Sequence, residues 1–375
     1  MKKIALVHYM PLEYYPPVMN MLDDLGMQDG LVTKVWSTGN IKGRNTYTND
    51  RLIGISRALF PSPNQSKFFR LFTYLLFNVK VLYGLVLYNP NAVFYYESYS
   101  AGPVYWYLKL FGKRKKLFIH HHEYFDQNWY DNGMAIVRLY HELEKKYLFE
   151  KADWISHTNQ FRIDLFLNDF PDLNPTKLHQ LPNYPPDSWV KLQNDKAVAK
   201  EKDTLRIIYI GSISLEHTFI EEFCKWVISQ NGRVKFDIYS FNYTSTVKNF
   251  LKKIDCEFIN FFEDGIAYED IPKFLIQYDI GVILYKASTL NAKYCASNKL
   301  FEYLVCGLEV WVSKEQEGTI PYLNLASRPR VKSINFSKME NDLIKDFHSS
   351  LSLPLIKVNY YYSSVSSFFI MNLLK

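Results

Sequence analysis

Asn298, Lys299 and Glu302 stand together in Ser297-Asn298-Lys299-Leu300-Phe301-Glu302-Tyr303-Leu304. Their types and spacing suit the binding of a phosphorylated ligand. An open helix start offers unpaired N–H groups and a partial positive charge, which favour phosphate. A carboxylate one turn further in can accept two vicinal hydroxyls, as acidic residues do with ribose in nucleotide-binding folds. The same three residues also read as a capped surface helix with solvated charges. A second reactive set is His120-His121-His122-Glu123. Neighbours on a strand alternate faces, so the three imidazoles cannot share one metal. The functional reading is that His122 or Glu123 reaches the substrate and, partly buried, titrates near neutrality as a base. The alternative is one core histidine and two solvated ones. No metal site is expected.

These groups need elements to hold them. Ser297 or Asn298 can cap a helix whose Leu300, Tyr303 and Leu304 share a face, and Gly307 suits its left-handed end. Leu308, Val310 and Val312 then alternate as a strand. Gly211 and Ser212 follow the apolar run Arg206 to Ile210. A glycine at a strand end admits a ligand close to the backbone, and Ser212 can donate; the blander reading is an ordinary turn. His120 to Glu123 likewise close the apolar run from Lys116, and Glu13-Tyr14-Tyr15 follow the first strand, Ile4 to His8. Glu13 and Tyr14 are acceptor candidates by position, or else part of a surface loop.

At 375 residues the chain suggests about two domains, and 48% hydrophobic against 22% charged residues indicates a folded protein. A net charge of +6 is too mild to argue for nucleic acid. Cys224, Cys256, Cys295 and Cys306 are far apart, so a reducing cytosol is expected, with neither zinc nor disulfides. The opening run is too short for a signal peptide. Asn78 and Lys80 argue against a membrane span through Leu71 to Tyr88. Lys67, Arg70 and Lys80 interleave with Phe68, Phe69, Phe72, Leu76 and Phe77, and Lys113 to Lys116 form a basic loop. That pattern fits peripheral contact with an anionic membrane, or a core helix with snorkelling lysines.

Strands alternate with helices along the whole chain, which indicates parallel sheets covered on both faces. Strands are expected at Ile4–His8, Leu31–Trp36, Ala92–Tyr96, Lys116–His120 and Trp154–Ser156, then at Arg206–Gly211, Val234–Tyr239, Phe258–Phe262 and Asp279–Tyr285. Helices are expected at Lys67–Tyr88, Pro103–Phe111, Met134–Lys151, Gln160–Leu167, His217–Ser229, Ser245–Lys253 and Ile271–Gln277. The prolines near Asn183 and the polar run to Thr204 mark a linker. The expected division is residues 1–184, a linker at 185–204, a second domain at 205–340, and a tail with a helix at 341–375 that can return to the first domain.

Tyr209-Ile210-Gly211, Asp279-Ile280-Gly281-Val282 with Tyr285, and Ser297 to Leu304 with Cys306-Gly307-Leu308 resemble the donor domain of GT-B glycosyltransferases, family 4 type (group 1). The resemblance covers roughly the second half. It implies an α/β fold of two Rossmann-like βαβ domains facing across a cleft, and a nucleoside-diphosphate sugar donor. It also implies no metal or other cofactor, and retention of configuration. Glu302 matches the glutamate that holds the ribose, and Asn298 and Lys299 match positions at the diphosphate. Ser297 and Tyr285 complete the donor set. The chain has Tyr294 where the family has a second glutamate, Ser212 and His217 where it often has Arg and Lys, and Glu309 where proline is common. Either a diphosphate clamp built from Lys299, Lys293 and Lys286 or a weakened clamp is expected in their place. The expected activity is transfer of a sugar to a glycan or polyprenyl-linked precursor in the cytoplasm. A nucleotide-sugar epimerase of the same fold, or a non-catalytic binding relative, is the alternative.

Overall fold

The computed structural model describes residues 1–39, 45–62, 64–112, 114–189, 204–254 and 256–374. Lys113 and most of the expected linker, residues 190–203, lie outside them. The chain forms two compact units, Met1–Asn183 with Tyr362–Lys375, and Tyr184–Tyr361.

The first unit holds seven strands: β1 (Lys2–Pro11), β2 (Leu31–Thr38), β3 (Gly54–Ala58), β4 (Ala92–Tyr96), β5 (Lys116–His121), β6 (Trp154–His157) and β7 (Leu178–Gln180). They lie in the order β3-β2-β1-β4-β5-β6-β7, with every pairing parallel. Its helices are α1 (Pro16–Gly26), α2 (Lys67–Tyr88), α3 (Ala101–Phe111), α4 (Gln127–Asn132), α5 (Ala135–Leu143), α6 (Phe149–Lys151) and α7 (Gln160–Asp169). A π-helical turn, Glu144–Leu148, joins α5 to α6.

The second unit holds β8 (Leu205–Ile210), β9 (Val234–Tyr239), β10 (Ile259–Phe262), β11 (Ile280–Ile283), β12 (Glu309–Ser313) and β13 (Val331–Ile334). Their order is β10-β9-β8-β11-β12-β13, again all parallel. Its helices are α8 (Ile220–Ser229), α9 (Ser245–Lys253), α10 (Ile271–Leu275), α11 (Leu290–Lys293), α12 (Asn298–Val305) and α13 (Leu343–Ser350). A last helix, α14 (Tyr362–Leu374), belongs to the first unit, where Phe369 packs on Phe94 and Phe118 at ring distances of 4.7 and 5.4 Å.

Both sheets are doubly wound. The strand order reverses between β1 and β4 in one and between β8 and β11 in the other. Ligands of such sheets bind at the carboxyl ends of the strands flanking that reversal. Helices cover both faces, so the central strands are apolar throughout: Ile4 to Val7, Ala92 to Tyr96 and Ile280 to Ile283 are buried.

Helix α2 is long and apolar enough to cross a membrane by length and composition. Its inner face is a core face instead. Tyr74, Phe77, Val81 and Leu85 are buried in one cluster with Val7, Val93 and Tyr95 of the sheet.

Candidate functional site

In the second unit the site is assembled around α12. Ser297 caps it, its hydroxyl accepting from the Lys299 amide at 3.3 Å. The Glu302 carboxylate is buried. It accepts from Asn298 Nδ2 at 2.7 Å and from Lys299 Nζ at 2.5 Å. The three polar residues read from the sequence therefore form one knot inside the first turn, with each oxygen of Glu302 taken once. A carboxylate oxygen has two lone pairs and an ammonium has three N–H groups, so both retain capacity for a ligand.

Two contacts fix this turn against the sheet. Tyr303 receives the Ile210 N–H on its hydroxyl at 3.0 Å, tying α12 to the end of β8. Its ring lies against Gly281 of β11 so closely that a β-carbon there would sit 2.3 Å from it. The glycine of the Asp279-Ile-Gly-Val pattern is thus the space into which α12 packs.

Gly211 follows β8 at φ +156, a backbone region that disfavours side chains, and its amide donates to Tyr239 O at 3.1 Å. Ser212 is exposed, and its hydroxyl accepts from Asn242 Nδ2 at 3.2 Å. Tyr285 follows β11 and bridges to Thr218 across the loop after β8. Gly211, Ser212 and Tyr285 therefore stand at the carboxyl ends of the two strands that flank the reversal.

The three lysines expected to clamp a diphosphate each have a carboxylate partner. Lys299 has Glu302, Lys293 lies 2.9 Å from Glu317, and Lys286 lies 3.4 Å from Glu222. Lys286 also donates to Leu215 O at 3.0 Å, which closes the loop after β8. Glu309, where the family often has proline, is buried. It receives Arg330 Nε at 2.7 Å and Nη2 at 3.0 Å, and Trp311 Nε1 at 2.7 Å. That departure belongs to the core.

In the first unit all three adjacent histidines are buried; none is solvated. His120 and His122 share one face, with His120 Nε2 3.2 Å from His122 Nδ1. His121 lies on the other, its ring stacked on His157 at 5.0 Å. The His122 ring is layered between Tyr15 and Tyr96, at 5.5 and 5.0 Å. Burial, then the neighbouring His8, pushes the His122 imidazole well below its ordinary value, and burial does the same to His120. Burial is complete where the sequence reading expected it to be partial, so His122 is a neutral imidazole at pH 7 and not a base poised near neutrality.

Glu97, at the end of β4, organises this loop and was not singled out from the sequence. Its Oε1 accepts the His122 amide at 2.6 Å and the Glu123 amide at 3.2 Å, and its Oε2 lies 3.4 Å from His121 Nδ1. Burial raises the Glu97 carboxyl above its usual range, against the pull of His121. Its backbone sits at φ 57, ψ 156, a region other residues leave to glycine. The position of an acid directly after a central strand was the available signal. Glu123 is partly exposed and pairs with buried Arg162 at 3.3 Å. Arg162 Nη1 also donates to the His122 carbonyl.

A pocket of about 200 Å³ opens at the carboxyl ends of β1 and β4, lined among others by His8, Tyr15, Tyr96, Glu97, Glu123 and Trp129. A second of similar volume lies across the Glu123-Phe125 wall, lined by His121, His141, Lys145, His157 and Asp169. The first is the better substrate site, because it lies at the strand reversal. Of the acceptor candidates, Glu13 faces elsewhere. It is buried, pairs with Arg57 at 2.8 Å and receives the Tyr47 amide at 2.9 Å. Tyr14 sits near Phe60 at 6.5 Å. Tyr15, their neighbour, is the residue of that loop that lines the pocket. Among the described residues, no group of three or more His, Cys, Asp or Glu side chains is arranged to hold a metal ion.

Comparison of the sequence with protein-family models and with curated proteins gives no match. Solved structures do match over the whole chain. Anabaena HepE in complex with UDP and glucose has a TM-score of 0.67 at 11% identity, covering 100% of both chains. UDP-GlcNAc 2-epimerase from Neisseria meningitidis, bound to UDP-GlcNAc, has 0.64 at 12% identity, covering 99% of both. Sucrose-phosphate synthase from Thermosynechococcus elongatus has 0.62 at 11%, covering 100% of this chain and 98% of that one. At this identity the likeness is one of fold. The chain has a two-domain α/β fold of the GT-B type, a fold found both among glycosyltransferases and among UDP-GlcNAc 2-epimerases.

Proposed function

We propose that this protein is a glycosyltransferase that moves a sugar from a nucleoside-diphosphate sugar, with UDP as the nucleotide, to a glycan or polyprenyl-linked glycan precursor. Transfer proceeds with retention and without a metal, at the cytoplasmic side of a membrane. The observation that carries the reading is the Glu302 carboxylate, buried and aimed by Asn298 and Lys299 at the first turn of α12. In transfer, negative charge builds on the leaving diphosphate, and fixed donors must face it beforehand. The start of α12, the spare N–H groups of Lys299 and the backbone at Gly211 and Ser212 supply them. The ribose hydroxyls add to Glu302 on its remaining lone pairs. In the first unit, Glu123 and Tyr15 line the pocket at the strand ends and hold the reacting hydroxyl, while neutral His122, buried between Tyr15 and Tyr96, positions the Tyr15 ring.

Titration calorimetry with UDP tests the donor half. Glu302→Ala should weaken binding by about 1–3 kcal/mol, the range for losing charge-assisted bonds to ribose. Unchanged affinity rejects the assignment. The epimerase reading is kept by the comparable likeness to the Neisseria enzyme. Incubation with a UDP-sugar alone separates the two: an epimerase yields a new nucleotide sugar, a transferase at most slow hydrolysis.

A further inference from the structure

Helix α2 presents a second, unexpected face. Its inner side lies in the core, but Phe68, Phe72, Val79 and Leu87, at helical spacing, are exposed on the other side, Phe68 by 85% and Leu87 by 66%. The stripe runs the full length of a helix of 22 residues, about 33 Å. Helix α3 packs beside α2 on the same core cluster and adds exposed Leu110 and Phe111. Scattered apolar residues on a surface need no explanation; a continuous stripe of aromatic and aliphatic side chains does.

The stretch of chain that builds this face carries exposed charge of one sign. Between Arg51 and Tyr96 there is no acidic residue, and up to His122 there is only Glu97, which is buried. The same stretch, 51–122, carries ten lysines and arginines. Lys67, Arg70 and Lys80 lie on α2, Lys109 on α3, and Arg114 and Lys115 just beyond it. Among the described residues no carboxylate pairs with Lys67, Arg70, Lys80 or Lys109. An apolar stripe flanked by unneutralised cations matches an anionic bilayer surface, with side chains entering the acyl boundary and cations meeting the headgroups. A second copy of the chain would bring the same positive charge to the face and be repelled. The helix cannot span, because its inner face already covers the sheet; it can only lie in the interface.

We propose that the outer face of α2 and α3 docks this protein onto anionic lipid bilayers. The inference goes beyond the nucleotide site and does not depend on it.

The test is flotation of the full chain with phosphatidylcholine vesicles, with and without phosphatidylglycerol. Wild type should float with the anionic vesicles and stay behind with the neutral ones, binding less in high salt. Phe68→Ser with Phe72→Ser should lower partitioning about tenfold or more, the scale for losing two buried aromatic rings. Lys67→Glu with Arg70→Glu should lower it on anionic vesicles. Thermal unfolding followed by circular dichroism is read on the same samples: variants that keep the wild-type transition are folded, so their lost flotation reports the surface alone. Three results overturn the proposal. One is absence of flotation by the wild type. Another is binding indifferent to lipid charge and to both variants. The third is a dimer in solution that the serine variant dissociates.

Discussion

Tyr303 accepts the Ile210 amide at 3.0 Å while its ring fills the space left by Gly281. One side chain thus sets the distance between the start of α12 and the turn at Gly211, the two parts of the proposed donor site that carry hydrogen-bond donors. Removing its hydroxyl leaves a buried N–H without a partner. Tyr303→Phe is expected to cost about 1–3 kcal/mol of stability and to weaken UDP binding as well. Urea denaturation and calorimetry on the same variant check both, and a stable variant with wild-type affinity would show that the bond positions nothing.

Gly281→Ala approaches the same contact from the sheet side. A methyl group 2.3 Å from the Tyr303 ring must push α12 outward, and overpacking of this kind costs about 1–3 kcal/mol. Combining it with Tyr303→Leu should restore part of the loss, since the smaller side chain returns the space. A double-mutant cycle in urea measures that coupling.

Glu97→Ala strands the buried His122 amide, at a cost of about 1–3 kcal/mol, and frees the half-buried Glu123 amide. Glu97→Gln keeps an acceptor and should lose less. Glu97→Gly relieves the backbone at φ 57 but removes the carboxylate, so it should resemble the alanine variant in activity while being more stable. If transfer is unchanged in all three, the loop does not need this anchor.

Acid should destabilise the first unit early. Burial holds His8 down to about 4 and pushes His120, His122 and His157 well below 6.5. Below pH 6.5 the unfolded chain takes up protons that these buried rings refuse. The stability they contribute is complete above pH 6.5 and is lost as pH falls towards their folded values. For His8 alone this amounts to about 3 kcal/mol between pH 6.5 and 4. His121 runs the other way: despite burial, its bond to Glu97 and the Glu97 charge raise it. Its contribution is present at low pH and lost on going above its folded value. With His179, also lowered by burial, five rings oppose one, so the melting temperature should drop between pH 7 and 5. His8→Phe should flatten that drop; an unchanged slope would mean that the ring titrates alike in the folded and unfolded chain.

The elements that carry the candidate sites were legible because each has a strong local signature. The continuous apolar runs of β1, β4 and β11 and the capped, periodic α12 match their expected positions to within one or two residues at most ends. β11 is shorter than the Asp279–Tyr285 run, and β1 continues to Pro11, three residues past His8. Edge strands were less legible. β3 is only half-buried along its length and β7 is three residues long, so neither shows a clean pattern. The Met134–Lys151 helix is broken by its π turn, where Glu144 is drawn inward to Tyr95 and Ser98 at 2.7 and 2.5 Å, a long-range contact without a local trace. At the sites, Asn298, Lys299 and Glu302 were readable because they lie within one turn. Glu97 and Tyr303 act on residues 24 to 93 positions away, and spacing along the chain does not show such partners.

The final helix places Phe369 against Phe94 and Phe118, although the whole second unit is translated before it. The half of the molecule that leaves the ribosome first is therefore the half finished last. Until residue 369 emerges, two phenylalanines of its central strands lack part of their cover, and the nascent chain must wait with an open seam while its downstream neighbour is already complete.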